Sequence, residues 1–192
     1  MNKTLASVAS WFKGLVAGLG AGGSHHTSAV PEETAWQFVE EVMRQHHFTP
    51  ESRAWLRSKV RLRVDDLTSR NGGGYWQPST GEVRLFTGQH EAAVHELAHA
   101  WWHYRRDRLK DEMIEATVRL SAEKDPRYQE LARLAFGYVH GIPEQPWEGL
   151  LVTRNDWEMF AGFASGTMGD MRKVPPYMRR LYRGLFEMPD ET

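Results

Sequence analysis

Residues 92–102 read Ala-Ala-Val-His-Glu-Leu-Ala-His-Ala-Trp-Trp, and Glu96 is the one carboxylate in a stretch without Lys or Arg. Alanine and leucine at this density favour a helix. A helix that is uncharged on nearly every side has to be covered by the rest of the fold. A surface helix with incidental histidines would show polar residues at several of the positions held by Ala92, Ala93, Val94, Leu97, Ala98, Ala100 and Trp101. The chain is therefore expected to be built around this segment.

On such a helix His95 and His99, four residues apart, share one face, with β-carbons about 5–6 Å from each other. Two imidazoles can then meet one ion. Zinc takes His nitrogen at about 2.0–2.1 Å, and its catalytic sites use three protein ligands with a fourth position left for water. Glu96 follows His95 directly and falls beside that water rather than on the metal, which suits it to be the general base. The ion brings the pKa of the water towards about 7, so Glu96 can take its proton during attack on a carbonyl and pass it to the leaving amine.

Composition narrows the alternatives. The 192 residues, 41% hydrophobic and 26% charged, suffice for one domain with a sizeable core. With no cysteine, disulfides, thiol nucleophiles and Cys-based zinc sites are excluded, and a metal has to be held by His and carboxylate. Lys plus Arg total 24 against 25 for Asp plus Glu, so no overall field draws the chain to nucleic acid. Absence of thiols is compatible with either redox compartment.

Residues 1–30 are read as an appended segment outside the core. Leu5, Val8, Phe12, Leu15 and Leu19 recur at helical spacing and run into the glycines of residues 18–23. Lys13 interrupts the apolar stretch and no clear Ala-x-Ala site follows, so no clear signal peptide is present and the cytoplasm is slightly favoured over export. The stretch is too short and broken to span a bilayer. Docking on the domain or disorder is the favoured reading, with membrane contact through residues 1–20 or a cryptic signal as alternatives.

Residues 31–192 carry the pattern of a packed domain. A first helix is expected from Pro31 to about His47, with Trp36, Val39 and Met43 on its apolar stripe. Thr49 and Pro50 open a second, short helix bearing Trp55 and Leu56. Val60, Leu62 and Val64 alternate with charged residues as a half-buried strand does. The runs 75–77 and 83–85 read as a hairpin around the turn 78–81. Helices are expected over about 90–110, 112–122, 126–138, 155–165 and 176–186.

A third metal ligand is required, and Glu158 on the separate segment Asn155-Asp156-Trp157-Glu158-Met159-Phe160-Ala161 is the best candidate. The same residues have the form of a capping box, in which Glu158 would bond the Asn155 backbone instead. Ligation is preferred because two histidines alone leave a zinc site incomplete.

The arrangement resembles the gluzincins, zinc peptidases with His-Glu-x-x-His and a downstream glutamate, and especially their minimal forms. The matching stretches are Gly81 to Leu85, His95 to His99, Glu158-Met159-Phe160-Ala161, and Pro175 to Tyr182, so the match runs from about Tyr75 to Phe186. The resemblance implies an α+β, zincin-like fold in which a small, mostly antiparallel sheet packs on the His-Glu-x-x-His helix, with a helical C-terminal part. It also implies His95, His99 and Glu158 as ligands of one Zn2+ and Glu96 as the catalytic base. The expected activity is hydrolysis of a peptide or protein substrate. The alternative is a catalytically inactive zinc-binding module with a regulatory or binding role.

Several gluzincins place a tyrosine or histidine about seven residues before the glutamate ligand to stabilise the oxyanion, and Leu151 stands there in this chain. Tyr177, Tyr182 and Arg154 are the other donors considered, each equally readable as a core or surface residue. His103 continues the His95 and His99 face one turn too far to ligate and is read as surface or as support for the ligands. His90, His140 and the pairs His25-His26 and His46-His47 are read as solvated, and the basic runs 105–110 and 179–183 as exposed faces. Trp101, Trp102, Phe160 and Phe163 could line an apolar pocket but are more often core. The run 83–85 is expected to be an edge strand to which an extended substrate adds.

Overall fold

The computed structural model describes residues 30–131 and 156–189. Residues 1–29 of the expected segment 1–30, residues 132–138 of the expected helix 126–138, and His140, Leu151, Arg154 and Asn155 lie outside the described residues.

Helix α1 (Glu32–Gln45) turns Ala35, Trp36, Val39, Val42 and Met43 inward. Thr49 then caps α2 (Pro50–Lys59), its hydroxyl accepting from the Ser52 N–H at 3.0 Å. That bond satisfies one of the donors a helix start leaves open, and Pro50 needs none. Three strands follow: β1 (Arg61–Val64), β2 (Gly74–Gln77) and β3 (Glu82–Leu85). They form a mixed sheet in the order β1-β3-β2, with β1 parallel and β2 antiparallel to β3. The hairpin expected around residues 78–81 is present and closes with the Gly81 N–H donating to the Gln77 carbonyl at 2.9 Å.

Two expectations about the sheet are corrected. It is not mostly antiparallel, because Arg61 to Val64 pair in parallel register with Glu82 to Leu85. The run 83–85 is not an edge, because β3 is the central strand, and among the described residues the outer positions belong to β1 and β2. Sequence alternation reports which face of a strand is buried but carries nothing about its neighbours. Leu62, Val64, Trp76, Val83 and Leu85 form the buried face, and Arg61, Arg63, Tyr75 and Arg84 turn away from it.

Helix α3 (His90–Ser121) is one continuous helix of 32 residues, where a break near residue 111 was expected. No Gly or Pro interrupts residues 105–120, and Met113, Ala116 and Leu120 extend the buried stripe past the charged run. Its first half is the centre of the molecule: Ala93, Val94, Leu97, Ala98 and Ala100 are fully buried. A side chain of the size of Leu97 contributes about 1.5–3 kcal/mol through such burial. Where α3 meets solvent, the Arg105 guanidinium lies 3.8 Å over the Trp101 ring.

Helix α4 (Asp156–Thr167) packs along α3 and is buried from Met159 to Ser165. The chain closes with a 3₁₀ turn (Met171–Lys173), the short α5 (Pro176–Arg179) and a second 3₁₀ turn (Arg180–Tyr182). The single helix expected over 176–186 stops at Tyr182 because Arg183 turns extended (ψ 127°) and Gly184 takes φ 87°, a value that favours glycine. The architecture is α+β, with the sheet on one side of α3 and α4 on another. Among the described residues no helix is long and apolar enough to cross a membrane.

Candidate metal centre

His95 and His99 project from the buried half of α3 and are 5% and 3% exposed. Glu158 enters from the first turn of α4. Although Glu158 stands 63 positions after His95 and 59 after His99, its Oε2 is 3.2 Å from the His95 Nε2, and it is 3.3 Å from the His99 Nε2. The two Nε2 atoms are 3.0 Å apart. A four-coordinate ion with bonds of about 2.1 Å keeps its ligand atoms about 3.4 Å from one another. The triangle is thus close to the size one metal ion requires, and its two neutral-capable nitrogens and one carboxylate oxygen form a suitable donor set. Among the described residues this is the one group of three His, Cys, Asp or Glu side chains whose ligand atoms converge, all within 4.8 Å. Glu158 therefore directs its carboxylate to the histidines, while Asn155, whose backbone it would bond as a cap, lies outside the described residues.

Electrostatics follows from burial and from the pairing. Burial would raise Glu158, but the hydrogen bonds and charges of His95 and His99 hold it far below the usual carboxylate range. Burial, then the charge of His95, pushes His99 down to about 4, so at neutral pH it offers a lone pair. Burial also acts to lower His95, but Glu158 and Glu96 outweigh it and the net shift is upward. Glu96 is pushed up to about 7 by burial, the Trp76 backbone N–H and the His95 charge opposing the rise. A carboxyl held near 7 can both take and give a proton at physiological pH. Its Oε2 is buried without a hydrogen-bond partner.

Strand β2 is what lies over Glu96. Phe86 N–H donates to the Gly73 carbonyl at 2.8 Å, which makes the alternate pairs Gly74–Leu85 and Trp76–Val83 the ones whose backbone groups point away from β3. Those of Trp76 accordingly face the Glu96 carboxylate.

Tyr182 is fully buried and donates to the Phe160 carbonyl at 2.9 Å, and Tyr177 donates to Glu123 at 3.0 Å, so both phenols are engaged away from the histidines. Trp101, Trp102, Phe160 and Phe163 are core: Trp102 meets Phe160 at 5.2 Å between ring centroids. His103 contacts the Trp76 and Tyr104 rings and joins no ligand cluster. His46 and His90 are not solvated singly, because His46 Nε2 lies 2.9 Å from His90 Nδ1 and joins the end of α1 to the start of α3. That pairing spans 44 residues and has no local signal.

Two residues at the centre were not singled out from sequence. The Trp157 ring packs on His99 at 4.5 Å. Ser165 Oγ is 3.3 Å from the His95 Nδ1. Its position seven residues after Glu158, two turns along one helix face, is a signal that becomes usable once Glu158 is taken as a ligand.

No protein-family model matches the chain, and no curated protein or solved structure is significantly similar to it.

Proposed function

We propose that this chain is a zincin-like, zinc-dependent metallopeptidase in which His95, His99 and Glu158 hold one zinc ion and Glu96 is the general base. The observation that carries the reading is the approach of Glu158 to both histidines at 3.2 and 3.3 Å, with the buried Glu96 carboxyl on the adjoining turn. Two imidazoles and a carboxylate with a position left open is the ligand set of catalytic rather than structural zinc. When bound, zinc supplies Lewis acidity, polarising a carbonyl and acidifying a water.

The chain's own residues do the rest. Glu96, held near neutrality by burial, takes a proton from the attacking water on its carboxylate and delivers it to the leaving amine. The apolar walls of α3 and α4 keep bulk water from competing for that proton. An extended peptide adds along the outer edge of β2, where among the described residues the outward backbone groups of Gly74 are left to pair with it, while the Trp76 N–H is given to Glu96. This moves the substrate strand from β3, where the sequence put it, to β2.

A second reading has its own support: Tyr177 and Tyr182 are engaged elsewhere, so neither of these two phenols is left to steady an oxyanion. An inactive zinc-binding module fits that observation. Zinc stoichiometry and peptide-library cleavage, measured together for the parent, Glu96→Gln and Glu158→Ala, separate the cases. The peptidase reading expects Glu96→Gln to keep zinc and lose turnover by at least about 100-fold, and Glu158→Ala to lose zinc. A zinc-loaded parent that cleaves nothing leaves the binding module, and a parent without stoichiometric zinc ends both readings.

A further inference from the structure

We propose that Ser165 is the positioning residue of the metal centre: its hydroxyl fixes which nitrogen of His95 carries hydrogen and so aims the Nε2 lone pair at the ion. The proposal rests on the metal-centre reading above and deepens it.

Ser165 is 1% exposed on the buried face of α4. A serine inside a helix commonly gives its hydroxyl hydrogen to a carbonyl one turn back, and the Gly162 carbonyl stands 3.4 Å from Ser165 Oγ. With the hydrogen directed there, the oxygen lone pairs are left for His95 Nδ1 at 3.3 Å. Neutral imidazole has one N–H and one lone pair. An acceptor at Nδ1 places the hydrogen on that atom and the lone pair on Nε2, the nitrogen that faces Glu158 and His99. Hydrogen bonds of this kind to a ligating histidine orient its ring and raise its affinity for the metal.

The two histidines are supported unequally. His99 Nδ1 is buried without a hydrogen-bond partner, and the Trp157 ring against it holds the imidazole by packing rather than by an acceptor. Ser165 and Glu158 both belong to α4, so docking of that one helix on α3 delivers a ligand and the group that prepares a ligand on the other helix. A change confined to Ser165 should therefore act on metal affinity and leave the fold in place.

The test measures the zinc dissociation constant by chelator competition, and the melting temperature with and without zinc, for the full-length parent, Ser165→Ala and Ser165→Thr. Ser165→Ala is expected to weaken zinc binding about 10–100-fold and to reduce the zinc-induced rise in melting temperature, while the metal-free melting temperature stays near that of the parent. Ser165→Thr keeps the acceptor and is expected to bind zinc within about threefold of the parent, against the larger loss that support to a ligand normally controls. Unchanged zinc affinity in Ser165→Ala overturns the proposal. So does an equal loss in Ser165→Thr, or a fall in the metal-free melting temperature as large as in the zinc-loaded form, either of which would make Ser165 a packing residue. A parent that binds no zinc fails at the metal-centre reading instead, so the two failures are distinguishable.

Discussion

A β-carbon built on Gly74 would stand 2.9 Å from Cγ of Glu96. Strand β2 thus lies directly against the turn of α3 that carries Glu96, and the absence of a side chain at residue 74 is what lets it approach. The same added carbon would be 2.5 Å from the Arg84 carbonyl oxygen, a backbone atom that cannot turn aside. Gly74→Ala is therefore expected to push β2 from β3 and Glu96 together, costing about 1–3 kcal/mol of stability as overpacking does. Zinc stoichiometry should survive, because the atoms nearest an added side chain at residue 74 belong to Arg84, Glu96 and Leu85 rather than to His95, His99 or Glu158. Urea unfolding and metal analysis check this, and an unchanged unfolding midpoint would show that the strand has room to spare.

Much of this site is written locally. His95, Glu96 and His99 fall within one turn of a stretch whose lack of charge already requires burial, and Thr49-Pro50 specifies a helix start by its own hydrogen bond. What is written non-locally was harder to read. The sequence marks residues 83–85 as one arm of a hairpin at a sheet edge, and only the pairing to residues 61–64 as well as 74–77 makes it central. Glu158 could be weighed against its capping role on the need for a third ligand, but its placement depends on how α4 crosses α3. The His46–His90 pair depends on a tertiary contact alone, 44 residues apart, and Ser165, 70 residues from His95, has only its spacing from Glu158 to mark it. The continuity of α3 past residue 111 is a case of burial overriding a cluster of charges that reads as a boundary.

Tyr182 separates a structural phenol from a catalytic one. Its hydroxyl is buried and given to the Phe160 carbonyl, and its ring stacks on Phe160 at 4.4 Å. Tyr182→Phe keeps the stack and orphans one acceptor, an expected loss of about 0.5–1.5 kcal/mol. Turnover by the folded variant should match the parent. A tenfold or greater drop in kcat with KM unchanged, about 1.4 kcal/mol of transition-state stabilisation, would return the phenol to the reaction.

The His46–His90 contact makes the junction of α1 and α3 sensitive to acid. At 2.9 Å the two nitrogens share one hydrogen, which two imidazolium ions cannot do. Burial, then the charges of His90 and His47, pushes His46 down to about 4 from an ordinary 6.5. His90 is lowered too, by burial and Arg70, with Glu41 opposing. A folded-state value below the unfolded one means that the unfolded chain takes up the proton first as the pH falls. The stabilisation is therefore complete above about pH 6.5 and is lost as the pH drops through about 4. Because both rings are partly solvated, the effect is set at about 1–2 kcal/mol rather than the full value of the shift. Other acidic and histidine groups titrate over the same range, so the informative quantity is the difference between the parent and His46→Gln. Unfolding midpoints at pH 7 and pH 4 should fall further for the parent than for the variant. Equal falls would mean that the pair is not a source of the acid sensitivity.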